Sequence, residues 1–78
     1  SGFEENLDAV ERILAKMPGH LAYVLRLHYL ERWSHKDIGA ETGESVGTIK
    51  ARIHRAKAAF RKEAENQSGD EKVEVSLL

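Results

Sequence analysis

Apolar residues recur at helical spacing in four blocks along this chain, and turn-forming residues separate the blocks. The last block is the sharpest. At about 100° per residue, Ile49, Ile53, Ala56 and Phe60 fall on one narrow stripe, while Gly47, Ala51, His54, Arg55, Ala58 and Lys62 fall opposite. This predicts a long helix with one dry face and one face that mixes small residues with long basic ones. Ser45 is placed to cap its start, and the periodicity runs to about Glu65. Just ahead, Ser34 caps a short helix over 35–42, with Asp37 three residues on in an approximate capping box. Gly43 closes that helix as a glycine just past its end. Two helices joined by so tight a turn form a helix-turn-helix.

The first half of the chain supplies the packing partners. Leu7, Val10, Leu14 and Met17 form a stripe, with Phe3 a turn earlier and Ile13 beside it. Acidic residues crowd the start of this helix and Lys16 its end, as the helix dipole favours. Pro18-Gly19 breaks the chain, and Pro18 suits the opening of the next helix, over 18–31. That helix is apolar on two sides: Leu21, Val24 and Leu25 on one, Tyr23, Leu27 and Leu30 on the other. So small a domain can hardly bury both, so one side is expected to meet a partner protein. Trp33, just before the Ser34 cap, is expected to act as a hydrophobic staple or core plug. From Asn66 the pattern stops. Val73, Val75 and Leu77 alternate as a strand, a docked tail or nothing ordered would, and a mobile tail is the favoured expectation.

Composition narrows the class. One Pro, no Cys and 78 residues favour a single all-α domain held by helix packing, with no disulfide and no cysteine-based zinc site. None of the four histidines makes the i, i+4 pair of a helical metal site, and no nucleophile triad or glycine-rich phosphate loop is visible, so neither a metal, a cofactor nor an enzyme is expected. No apolar run reaches the roughly 20 residues that span a bilayer, and a cytoplasmic location is the default. Ser1-Gly2 has the look of a tag-cleavage scar, which leaves a domain over 3–65 and an acidic tail over 66–78.

The net charge of −1 hides segregation. Residues 34–62 carry seven basic residues (Lys36, Lys50, Arg52, Arg55, Lys57, Arg61, Lys62) against three acidic ones (Asp37, Glu41, Glu44). Residues 63–78 carry one against five. Polyanion binding follows the local patch rather than the whole-chain sum. Small residues midway along the outer face of the last helix let it sit deep in a major groove, with the basic residues reaching bases or phosphates.

The run from Met17 to Lys62 closely resembles region 4 of bacterial sigma factors, in particular the extracytoplasmic-function group. M-P-G-H-L-A-Y-V-L-R-L-H-Y-L-E-R-W-S is followed without a gap by H-K-D-I-G-A-E-T-G-E-S-V-G-T-I-K-A-R-I-H-R-A-K-A-A-F-R, and the block G-T-I-K-x-R-x-x-R-A-K is the specific part. The resemblance implies a four-helix domain with a C-terminal helix-turn-helix and no wing. It implies double-stranded promoter DNA, read at the −35 element, and the β-flap of core RNA polymerase as partners. Lys50, Ala51, His54 and Arg55 would face the bases, Arg55 being best suited to guanine because its fork matches O6 and N7. Ser34, His35, Lys36, Ser45, Thr48, Arg52 and Lys57 would anchor the DNA backbone. Tyr23, Leu27 and Leu30 would form the polymerase or partner face.

The chain departs from the family pattern at several positions. Thr42 and Glu44 stand where Leu and Ile are usual, Glu41 replaces a common apolar residue, and Ala51 stands where Ser is frequent. Ile38 is then the one clear apolar anchor of the short helix, which is expected to be loosely held. Arg32 replaces a helix-ending Gly, so it must accept a left-handed conformation or end the helix differently. Two other readings remain open. One is a regulatory interaction module, bound by an anti-sigma-type partner or with its basic helix masked by the acidic tail. The other is the output domain of a LuxR-type response regulator, which shares the four-helix plan.

Overall fold

The computed structural model describes residues 2–67, with side chains from Asn6 onward. Four helices follow one another: α1 (Gly2–Lys16), α2 (Gly19–Leu25), α3 (His35–Thr42) and α4 (Val46–Asn66). The described residues contain no strand. Phe3 and the alternating Val73, Val75 and Leu77 lie outside the described side chains.

The α4 stripe lies where its periodicity predicts. Ile49, Ile53, Ala56 and Phe60 are buried, and α2, α3 and α1 all pack against this helix, α2 most extensively. Burying each large apolar side chain stabilises the fold by roughly 1.5–3 kcal/mol, so the stripe contributes enough to fix the rotation of α4. Ser45 caps it, its hydroxyl accepting the Thr48 N–H at 3.1 Å.

Of the expected α1 stripe, Leu14 and Met17 are buried and Val10 packs on the core, but its start is shifted. Ile13, placed beside that stripe, is fully buried and Ala9 joins it, whereas Leu7 is 38% exposed. The core-facing line therefore runs through Ala9, Ile13, Leu14 and Met17. One ion pair, Arg26 with Glu11, ties this helix to the segment after α2.

α2 opens one residue later than expected. Pro18 is its cap rather than its first residue, and the Pro18 carbonyl accepts the N–H groups of Leu21 and Ala22 at 3.0 Å. After Leu25 the winding widens into a π-turn over Arg26–Leu30, closed by the Glu31 N–H on the Arg26 carbonyl. The chain then reverses. Arg32 adopts the left-handed conformation, φ 64°, that replacement of glycine demands. The Trp33 N–H returns to the Leu27 carbonyl at 2.9 Å, and the half-buried Trp33 packs on the core. Because the chain doubles back there, Leu27 is only 5% exposed and belongs to the core. This corrects the expected partner face: Tyr23 (44%) and Leu30 (42%) stand out of the surface, and Leu27 does not.

α3 is held by more than Ile38. Its cap is as expected, with the Asp37 N–H on the Ser34 hydroxyl at 3.0 Å, and Gly43 closes it at φ 76°. Thr42, where an apolar residue is usual, turns its hydroxyl back onto the Ile38 carbonyl at 2.9 Å. Buried Gly39 meets the turn so closely that a Cβ there would lie 2.5 Å from the Glu44 carbonyl oxygen, whose own N–H donates to the Gly39 carbonyl at 2.9 Å. Backbone against backbone cannot give way cheaply. Gly39→Ala is expected to destabilise the domain by about 1–3 kcal/mol, as overpacking does, read as a lower urea midpoint with unchanged slope. An unshifted midpoint would show that the turn is free to move.

Candidate nucleic-acid interface

Rotation of α4 by its buried stripe leaves a continuous outer surface. Gly47, Ala51 and Ala58 form a shallow floor, and Lys50, His54, Arg55 and Lys62 project around it, all exposed. The small residues permit close approach of the helix to a groove, and the flanking cations supply charge. Thr48 and Ser45 sit at its N-terminal end, joined by a 2.9 Å bond from the Ser45 hydroxyl to that of Thr48.

The first turn of α3 comes alongside. Ser34 and Lys36 are exposed, and His35 is near enough to Lys50 to feel its charge. His35 is held below the ordinary imidazole value of 6.5, chiefly by partial burial, then by His28 and by Lys50. Eight of the eleven DNA-facing positions expected from the sequence, Ser34, Lys36, Ser45, Thr48, Lys50, Ala51, His54 and Arg55, are thus exposed.

Two positions are otherwise engaged. Arg52 turns toward the interhelix turn and pairs with Glu44 at 2.5 Å, with its Nε buried among the described residues without a partner. Its guanidinium therefore bridges α4 to the turn instead of reaching outward. Lys57 is half-buried, its ammonium 5.8 Å from the centre of the Tyr29 ring. Glu44 breaks the family pattern, and its pairing with Arg52 eight residues on has no local sequence signature. A second unforeseen group is His28, whose ring stacks on His35 with centroids 4.5 Å apart. Stacked rings present faces to each other, so their nitrogens do not converge on one point as metal ligands must.

On the far side of α3, Arg32, Trp33, Asp37, Ala40 and Glu41 line an open groove of about 410 Å³. Its two carboxylates make it a poor surface for a polyanion, which leaves the α4 face as the cationic side. No helix among the described residues is long and apolar enough to cross a membrane.

Buried stripe, capped turn and basic outer helix together define a helix-turn-helix DNA-binding domain. The sequence profile described as sigma-70, region 4 matches residues 7–60. The chain belongs to that family, in the form typical of extracytoplasmic-function sigma factors, and is a non-enzymatic DNA-binding module. This membership sets the response-regulator alternative aside. No curated protein and no solved structure matches the chain.

Because Arg52 holds the turn, Arg52→Ala is expected to lower folding stability by about 1.5–3 kcal/mol, the range for a hydrogen bond to a charged group. The salt dependence of DNA binding by the folded fraction should stay as it was. A salt slope flattened by roughly one unit would instead mark Arg52 as a phosphate contact.

Proposed function

We propose that this domain reads the −35 element of a promoter with α4 while a separate face, centred on Tyr23 and Leu30, docks on the β-flap of RNA polymerase. The observation that carries this is the outer face of α4, accessible along Lys50, Ala51, His54 and Arg55 and opposite a stripe that cannot rotate. Arg55 is the guanine-reading residue in this scheme, since a planar fork donates to both O6 and N7. Lys50 and His54 contact neighbouring edges, and Ala51 leaves room for a thymine methyl.

Ser34, His35, Lys36, Ser45 and Thr48 take phosphates on either side of the groove, and Lys57 contributes charge from the flank. Arg52 acts indirectly, by fixing the angle between α3 and α4. Working with polymerase puts the domain in the cytoplasm. An anti-sigma-type protein competing for the Tyr23–Leu30 face would silence it without touching the DNA face.

The experiment is a titration of wild-type and variant chains against a duplex selected from a random pool, a scrambled duplex, and a β-flap fragment. Arg55→Ala is expected to cost about 1–3 kcal/mol on the selected duplex and to relax one base position. Leu30→Asp is expected to abolish flap binding and spare DNA binding. Equal losses on both duplexes for Arg55→Ala would refute its role as a base reader. Flap binding that survives Leu30→Asp would place the docking face elsewhere.

A further inference from the structure

Four side chains, His28, Tyr29, His35 and Lys57, meet along one seam, where the π-turn, the first turn of α3 and α4 come together. His28 and His35 stack with centroids 4.5 Å apart and planes 21° from parallel. His28 also meets Tyr29 edge-on at 4.8 Å, and Lys57 lies over the Tyr29 ring. The His28 Nδ1 is 2.8 Å from the Trp33 carbonyl oxygen. A carbonyl only accepts, so Nδ1 carries a proton and donates it, which pins the ring on which His35 stacks.

The charges around His35 are mostly of one sign. From the π-turn it is faced by His28, with Tyr29 beyond; from α4 by Lys50, with Lys57 behind Tyr29. On its own helix Lys36 is adjacent, while Asp37 turns to the outer groove with Arg32, Trp33, Ala40 and Glu41. Glu31 is exposed at the chain reversal. Burial chiefly, and then the neighbouring His28 and Lys50, disfavour the protonated form of His35. An arriving anion reverses that balance. A phosphate oxygen accepts only, carries full charge, and makes a stronger bond to imidazolium than to imidazole.

We propose that this seam is a proton-linked phosphate site. When duplex DNA binds, a backbone phosphate settles against His35 and Lys50, His35 takes up one proton, and His28 serves as the positioning residue beneath it. The inference rests on the DNA-binding function and adds to it a dependence on pH. The free domain holds the His35 proton less tightly than the bound one. The gain in affinity is therefore fully present below the free-state pKa, which lies under 6.5, and is lost as pH rises through the bound-state value. One proton sets a ceiling of tenfold per pH unit.

The test uses the full 78-residue chain and a fluorescein-labelled mixed-sequence duplex at constant ionic strength. Anisotropy titrations run from about pH 8 to about pH 6, across the ordinary histidine range. Wild-type affinity is expected to rise at least about threefold, beyond what His35→Gln shows. His28→Gln should reduce the rise, because His35 loses the ring that positions it toward the phosphate. His54→Gln should weaken binding yet keep the rise, and His20→Gln should leave it intact. Independently, the ring ¹⁵N shifts of His35 should move from neutral to imidazolium values when duplex is added near neutral pH. Affinity that ignores pH, a rise that persists in His35→Gln, or a neutral His35 ring in the complex would overturn the proposal while leaving DNA binding in place. A chain that binds no duplex at any pH would overturn the DNA-binding function of this chain itself.

Discussion

Burial of Ile49, Ile53, Ala56 and Phe60 fixes the rotation of α4 about its own axis, and the arrangement of the DNA face depends on that constraint. These residues recur every three or four positions, so turning the helix by even a quarter-turn would expose the stripe and bury His54 or Arg55. The apolar loss for several large side chains, each worth roughly 1.5–3 kcal/mol, forbids that. The outer face therefore needs no contacts of its own to be oriented. Gly47, Ala51 and Ala58 contribute little packing, and their use is to keep that face low.

The second constraint is the turn between α3 and α4. Gly39 lets the two backbones touch, and Glu44 meets Arg52 across the same corner. The family pattern uses apolar residues in and beside this turn; here a hydroxyl, a glycine and an ion pair do the holding. The choice of Arg at position 52 follows from geometry. A guanidinium offers several donors in a rigid fork and can serve a carboxylate while remaining partly buried, which a compact, strongly hydrated ammonium does less well. The lysines, Lys50 and Lys57, are left for the rim, where a flexible point charge is adequate.

Elements governed by local chemistry were legible in the amino-acid order. Ser34 and Ser45 cap because their hydroxyls lie three residues before the N–H they accept, and Gly43 closes α3 because glycine tolerates positive φ. The α4 stripe and its exposed opposite face follow from one period. Arg32 was readable as a strained position because a glycine was missing there. What escaped was set by contacts distant in sequence or by a change of winding. Ile13 rather than Leu7 faces the core because α1 is rotated by the helices it meets. Leu27 is covered because the π-turn and the return of Trp33 bring chain over it, and no 3.6-residue wheel encodes that. Likewise the Glu44–Arg52 pair and the His28–His35 stack join residues eight and seven apart across a turn, where neither period applies.

That same winding change links fold to chemistry. A regular α-helix ending at Leu30 would hold its final carbonyls against its own axis; widening at Arg26 lets the chain reverse within three residues and bring the Trp33 carbonyl to His28. His28 is thereby held against the first residue of α3, the half-buried His35, which lies near Lys50. The outer face of α4 carries Lys50, His54, Arg55 and Lys62, all exposed. The seam carries His35, whose proton is held less tightly than an ordinary imidazole's, chiefly through burial and then through His28 and Lys50. In the proposed scheme the rigid cationic face sets where DNA lies, and His35 at its edge responds to whether DNA is there.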